Sequence, residues 1–175
     1  MTYQEQWYME SSKVITLSLL NSPEYQNSRR IHIYWPPMQY INPVGDGNSF
    51  PKNPSRIKHE PDTQYIINHA KKSSRDIFYP DSNPFRNETN LDIIIVPGTK
   101  FDYHMNRKGR GGGYYDKFLE KTKAIKVGLT FTKNLVDSLF TNHWDIPMDV
   151  IISEKGIIRD NKESIDKCWE WKEKF

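Results

Sequence analysis

Ten consecutive residues carry most of the chemistry that this sequence offers: Arg107, Lys108, Gly109, Arg110, Gly111, Gly112, Gly113, Tyr114, Tyr115 and Asp116. Glycine permits positive φ and lets backbone N–H groups come close to a phosphate. Arg107 and Arg110 bracket the turn and can offer forked donors to phosphate oxygens, and Lys108 adds charge. Between Lys100 and Arg110 stand four cations (Lys100, Arg107, Lys108, Arg110) against one carboxylate, Asp102. Such a local excess suits a polyanion, either a nucleoside triphosphate or a nucleic acid. The pattern is not a P-loop, because no Gly-Lys-Ser/Thr follows, and its glycine spacing differs from the dinucleotide fingerprint. Asp116 falls in the first turn of the next helix, where it can cap that helix or hold a hard cation beside phosphates. Neighbouring helix positions point about 100° apart, so one of Tyr114 and Tyr115 is expected to pack inward and the other to face a ligand ring.

These residues need a frame. Ile93-Ile94-Ile95-Val96 is a short continuous apolar run, as expected of a central parallel strand within 92–96. Pro97-Gly98 ends it, a loop runs to Gly113, and a helix is predicted over 114–121 with Tyr115, Phe118 and Leu119 inward. In open α/β sheets ligands bind beyond the carboxyl ends of the strands, which is where this loop falls. Upstream, a helix is predicted over 11–21, with Val14, Leu17 and Leu20 beside Ile15 and Leu19 as its apolar face. A strand follows over 31–35, a helix capped by Asp62 reaches about Lys72, and a short strand covers 76–79. Residues 80–90 are polar and turn-rich. Downstream come a strand over 126–131, a short helix over 135–140, a strand over 150–153 and a C-terminal helix over 162–174. Residues 36–61 hold six prolines and two glycines without sustained periodicity, as expected of an irregular excursion. The alternation of strand and helix predicts an α/β fold with a mostly parallel sheet in a single domain spanning 1–175.

Composition narrows the setting. The 175 residues are 36% hydrophobic, 27% charged and 13% aromatic, enough aromatic content to argue against wholesale disorder. No apolar run approaches the roughly 18 residues of a membrane span, and the first residues lack signal-peptide character. Cys168 is the only cysteine, which excludes an internal disulfide framework and a cysteine-based zinc site. A reducing, cytoplasmic compartment is the expectation. The net charge of +3 is near neutral, and with so short a basic stretch it argues against a nucleic-acid partner despite the nearby Tyr103, Tyr114 and Tyr115.

The order Pro97-Gly98-x-x-Phe101-Asp102, then Arg107-x-Gly109-Arg110-Gly111-Gly112-Gly113-Tyr114-Tyr115-Asp116-Lys117-Phe118-Leu119, resembles the signature of the 5-formyltetrahydrofolate cyclo-ligase (methenyltetrahydrofolate synthetase) family. Val127-Gly128-Leu129 and the stretch from His143-Trp144-Asp145 to Ile152 resemble its closing strands, and Glu60-Pro61-Asp62-Thr63 resembles a helix start of that family. The resemblance is close over 92–153 and patchy over 11–80.

It implies a three-layer sandwich of the cyclo-ligase and NagB–RpiA-like kind. It also implies a ligase of one-carbon metabolism that turns 5-formyltetrahydrofolate into 5,10-methenyltetrahydrofolate with ATP and magnesium. The formyl oxygen would attack the γ-phosphate, N10 would then close the ring, and phosphate would leave. By the same resemblance, Arg107 and Arg110 are catalytic. Gly109, Gly111, Gly112, Gly113, Tyr114 and Tyr115 bind ATP. Glu60, Arg110 and Tyr114 border the reduced folate, and Asp116 and Asp145 hold magnesium. Without the resemblance, Glu60 reads as a helix-start charge. Asp149 and His143 read as structural, and Trp144 either walls the site or packs. The sequence also departs from the family pattern. Residues 1–12 hold no basic residue, where the family has a lysine and an arginine reaching the phosphates. Lys108 replaces a leucine, Asn134 a glutamine, and the segment between Tyr79 and Asp92 is short. The alternative that these departures carry is a degenerate relative that binds nucleotide or folate without turnover.

Overall fold

Ile93, Ile94, Ile95 and Val96 have no polar face because both faces of their strand are covered, and none of the four side chains is exposed. The computed structural model describes residues 3–37, 59–80 and 90–159. In chain order these form α1 (Tyr3–Leu20), α2 (Pro23–Gln26), β1 (Arg30–Ile33), α3 (Gln64–Lys72), β2 (Asp76–Phe78), β3 (Ile93–Val96), β4 (Lys100–Asp102) and β5 (Arg107–Lys108). Then come α4 (Tyr114–Leu119), β6 (Ile125–Leu129), a 3-10 turn (Thr132–Asn134), β7 (Leu135–Val136), β8 (Val150–Ser153) and β9 (Gly156–Arg159).

The main sheet runs β2-β1-β3-β6-β8-β9. All its pairings are parallel except the last, where β9 turns back antiparallel on β8. Side chains alternate across it, as strand geometry requires. Ile93, Ile95, Val127, Leu129, Val150 and Ile152 join one core with residues of α1 and α3. Ile94, Val96 and Ile151 join the other with Phe101 of β4 and Phe118 and Leu119 of α4. The expected three-layer α/β arrangement is therefore present, with β3 between its inner neighbours β1 and β6. No helix among the described residues is long and apolar enough to cross a membrane.

Several local expectations are corrected. α1 begins at Tyr3, eight residues earlier than predicted. Its inward face is Tyr8, Ser11, Ser12, Ile15, Thr16 and Leu19, at helical spacing. Val14 and Leu17 are about half exposed. Four hydroxyls, those of Tyr8, Ser11, Ser12 and Thr16, thus face the core, and Ser12 Oγ accepts there from the Asp62 N–H at 3.0 Å. The predicted helix over 135–140 is absent. Leu135 and Val136 instead pair in parallel with Phe101 and Asp102 in a second, three-stranded sheet, β5-β4-β7. Tertiary pairing, available only once β4 is in place, overrides the local pattern. The strand predicted over 31–35 ends at Ile33, that over 126–131 ends at Leu129, and β9 is an additional strand that the sequence pattern does not predict. Most of the 36–61 excursion, most of the 80–90 turn region and the C-terminal helix fall outside the described residues.

Gly128 explains how the second sheet can lie on the first. The ring of Phe101, itself fully buried, rests directly against Gly128, where a Cβ would collide with ring carbons. Gly128→Ala is expected to lower stability by about 1–3 kcal/mol through overpacking, read as a lower urea midpoint at unchanged m-value.

Candidate functional site

At the carboxyl ends of β2 and β3 lies an open cleft of about 790 Å³, bounded by Pro80, Pro97, the 107–116 segment, Glu60 and the 139–145 loop. The β4–β5 hairpin presents the glycine segment to it. The backbone of Thr99 donates to Lys108 O at 2.8 Å, and Met105 turns the hairpin at φ +70°. Asp102 is fully buried at the base of that turn. Its Oδ1 accepts from the backbones of His104 (2.9 Å) and Asn106 (2.8 Å), and its Oδ2 from Asn106 Nδ2 (2.9 Å) and the Leu139 backbone (2.8 Å). One carboxylate therefore ties the hairpin to the opposite rim of the cleft.

Beyond the hairpin, Gly111 (φ +96°) and Gly113 (φ +66°) take conformations that L side chains rarely adopt, and Gly113 caps α4. A Cβ on Gly111, Gly112 or Gly113 would meet nothing within 4 Å, so protein atoms leave this stretch of backbone open to a ligand. α4 has only 6 residues, so its dipole is short, and the side chains carry most of the local charge.

The two arginines differ. Arg107 has a side chain only 5% exposed. Its Nη2 donates to both oxygens of Asp116 at 3.2 Å, its Nη1 donates to Pro97 O at 3.1 Å, and its guanidinium stands 5.8 Å over the Tyr115 ring. Arg110 is 42% exposed, and its Nε donates to Glu60 Oε1 at 3.2 Å. Glu60 is buried, and its backbone carbonyl accepts from Tyr8 OH at 3.1 Å. Next to it, Pro61 O accepts from Tyr34 OH at 2.8 Å. The N-cap of α3 is Thr63 rather than the expected Asp62, which stands one residue further out, where its Oδ1 accepts from the Gln64 N–H at 3.1 Å. Burial raises the Asp62 pKa above the ordinary carboxylate value.

All the residues assigned from sequence to ATP, folate and metal line this one cleft. Asp145 Oδ2 accepts from the Asn142 backbone at 2.7 Å, and Asp116 is ion-paired with Arg107. No group of three acidic, histidine or cysteine side chains converges among the described residues. Magnesium in nucleotide sites is held by one or two carboxylates together with phosphates and water, a donor set that Asp116 and Asp145 fit. Tyr115 leans on Phe118 and on the buried His32, while Tyr114 lines the cleft beside it. Asp149, read as structural, accepts from the Lys126 backbone at 2.8 Å; Trp144 lines the cleft, and His143, which does not, meets the Trp144 ring edge-on. The sequence did not reveal Tyr8 or the rim aromatic Phe140, which is 92% exposed. Phe140 closes the stretch over which the sequence pattern predicts a helix, 135–140, so nothing in the pattern marks it as a rim residue.

His32, on β1, is buried against the Phe118 ring, and burial lowers its pKa to about 4. The unfolded chain takes up a proton near pH 6.5 that the folded protein refuses until about pH 4. Stability therefore falls as pH drops through that window. The loss attributable to His32 is about 2 kcal/mol by pH 5 and about 3 kcal/mol in full. Glu24 and Asp92 have lowered pKa values, Glu24 through its bond from Arg159 and Asp92 through the Arg30 and Arg29 backbones. Their stabilisation is lost only at more acid pH. Urea titrations at pH 7 and pH 5 are expected to show the drop in the parent and little of it in His32→Leu.

A family model for the 5-formyltetrahydrofolate cyclo-ligase family matches residues 55–154. The chain is 28% identical over 118 residues to the 5-formyltetrahydrofolate cyclo-ligase of Escherichia coli (strain K12), a stretch covering 66% of this chain and 57% of that relative. It is 26% identical over 170 residues to that of Mus musculus, covering 83% of both. The match thus spans little more than half the length of the bacterial relative. Among solved structures, the chain is similar to Aquifex aeolicus 5,10-methenyltetrahydrofolate synthetase, with a TM-score of 0.65 and 24% identity over 89% of this chain and 84% of that one. At that identity the likeness establishes the fold.

Proposed function

The chain belongs to the 5-formyltetrahydrofolate cyclo-ligase family, and from that premise we propose that it converts 5-formyltetrahydrofolate to 5,10-methenyltetrahydrofolate with hydrolysis of ATP and with magnesium. The observation that carries this reading is one cleft that joins an open, positively flanked glycine backbone to a buried carboxylate, Glu60. Such a carboxylate accepts from the amino and ring N–H donors of a pterin. The glycine N–H groups and Arg110 suit a triphosphate. The formyl oxygen attacks the γ-phosphorus as ADP departs. N10 then closes on the activated carbon, and phosphate leaves. The protein's task is alignment and charge neutralisation rather than covalent chemistry. Asp116 and Asp145 would hold magnesium together with the phosphates, and the ion would supply further charge neutralisation. Arg107, tied to Asp116 and Pro97 O, positions that carboxylate from behind. A cytoplasmic setting belongs to the same reading.

The test is an absorbance assay for methenyltetrahydrofolate from 5-formyltetrahydrofolate, ATP and magnesium. Product above background is expected; a folded protein that makes none sinks the assignment. Within that assay, Arg110→Lys is expected to lower turnover by on the order of tenfold or more and to shift nucleotide affinity less. Lysine keeps the charge but loses the planar fork, which acts most strongly as charge spreads over the transferring phosphoryl group. Equal turnover and affinity in the variant would remove Arg110 from the site.

A further inference from the structure

Resting on that reading of the cleft, we propose that Phe140 and Trp144 form its base subsite: the two rings, presented on the rim, stack on the planar base of the nucleotide whose phosphates meet the glycine segment. Both side chains line the cleft. Phe140 is 92% exposed and Trp144 57% exposed. Single exposed aromatics are ordinary, but two of them on one wall of a cleft mark a place where a ligand packs. Their loop is fixed beneath them. The Leu139 N–H donates to the buried Asp102 carboxylate at 2.8 Å, and the Asn142 N–H to Asp145 Oδ2 at 2.7 Å. The Asp145 N–H returns to Asn142 O at 3.1 Å, and the Met148 N–H reaches Met105 O at 2.8 Å. The His143 ring braces Trp144 edge-on, with centroids 4.6 Å apart. The rings thus stand on a set backbone, so little ordering entropy opposes stacking.

The occupant follows from what the rim is tied to. Asp102 and Met105 join it to the hairpin that carries the glycine segment. Asp145, next to Trp144 in the chain, is one of the two cleft carboxylates suited to magnesium with phosphates. A triphosphate on the glycines with its ion at Asp145 therefore runs along this rim, and the ring tethered to those phosphates is the nucleotide base. Glu60, the carboxylate suited to the pterin, is fastened elsewhere, to α1 through Tyr8 OH. An aromatic face attracts a base through its π-surface, with no need to read the base edge. This grip acts on the base and not on the transferring phosphoryl group. Loss of the rings therefore raises KM for ATP and leaves kcat near the parental value.

The probes are a non-hydrolysable ATP analogue and inorganic tripolyphosphate, which has the phosphates without the base. Each is titrated calorimetrically with magnesium into the parent, Phe140→Ala, Phe140→Leu, Phe140→Tyr and Trp144→Ala, and 5-formyltetrahydrofolate is titrated into the same set. Both alanine variants are expected to bind the analogue at least about fivefold more weakly, and to bind tripolyphosphate and the folate as the parent does. Phe140→Leu should share the loss and Phe140→Tyr should keep parental affinity, because the ring rather than its apolar area is what stacks. Parental analogue affinity in both alanine variants overturns the base subsite. An equal loss for tripolyphosphate overturns it too, since the rings would then act on the phosphate site. So does a loss confined to the folate, which would give the rim to the aminobenzoyl ring. A parent that binds the analogue but not tripolyphosphate already assigns the affinity to the nucleoside, and the Phe140 series then decides. That series also decides alone if Trp144→Ala does not fold, since the Phe140 side chain is almost wholly in solvent. Each of these failures leaves the functional reading standing; a folded parent that binds neither nucleotide nor folate removes that reading, and the subsite with it.

Discussion

Gly111→Val and Gly113→Val are expected to abolish nucleotide binding, with ATP affinity falling by on the order of a hundredfold or more, while the fold persists. Gly111 holds φ at +96° and Gly113 at +66°. A β-branched residue is a steric outlier there, at a strain of about 1–3 kcal/mol. Chain neighbours aside, no protein atom lies within 4 Å of where a Cβ would stand at either glycine, so nothing packed there resists a local backbone flip that relieves the strain. Such a flip redirects the N–H groups of the open glycine segment. Gly112 separates backbone strain from ligand approach. Its φ lies outside the left-handed range and its Cβ direction is also open. Gly112→Ala should therefore fold with parental stability and still lose ATP affinity, because the added methyl intrudes only on the ligand. Calorimetry on the three variants, with circular dichroism as the fold control, is the measurement. Parental affinity in both valine variants would take the loop out of the site.

The parts of this site that a reader of the sequence can find are those written locally. β3 has no polar face, and only a strand covered on both sides can tolerate that. The glycines stand between a buried strand and a helix, beside arginines, within one uninterrupted segment. Glu60 is a different case. Its carboxylate meets Arg110 at a separation of 50 residues, and its carbonyl meets Tyr8 at a separation of 52. No periodicity encodes either contact, so from local chemistry alone Glu60 reads as a helix-start charge. The inward face of α1 misled for another reason. Four of its six buried positions, Tyr8, Ser11, Ser12 and Thr16, carry hydroxyls, and of the expected apolar face Ile15 and Leu19 are buried while Val14 and Leu17 are about half exposed, so the hydrophobic pattern finds only part of the inward face. Leu135 and Val136 show the same limit in a strand, since β7 exists only because β4 is there to pair with it.

Asp102 carries the second large prediction, one that the sequence motif contains without explaining. Asp102→Ala is expected to lower the unfolding free energy by on the order of 4 kcal/mol and to remove activity as well. The carboxylate is fully buried and accepts four hydrogen bonds, three of them from backbone N–H groups of His104, Asn106 and Leu139. Bonds to a charged group contribute about 1.5–3 kcal/mol each, although bonds sharing one acceptor do not add in full. Alanine also leaves those three N–H groups without their acceptor inside a tight turn. Against a typical total of about 5–15 kcal/mol, the loss is severe. Activity should fall with it, because the same carboxylate joins the hairpin that presents Arg107 to the rim that carries Leu139 and Phe140. Asp102→Asn distinguishes shape from charge. Its oxygen can still serve His104 and Asn106, but its amide faces the Leu139 N–H donor, so this variant should unpin the rim while keeping the hairpin. An intermediate stability loss is therefore expected, with activity reduced more than stability. Urea unfolding of both variants beside the parent, together with the product assay, measures this. An Asp102→Ala protein within about 1 kcal/mol of the parent would show that the turn holds without its carboxylate.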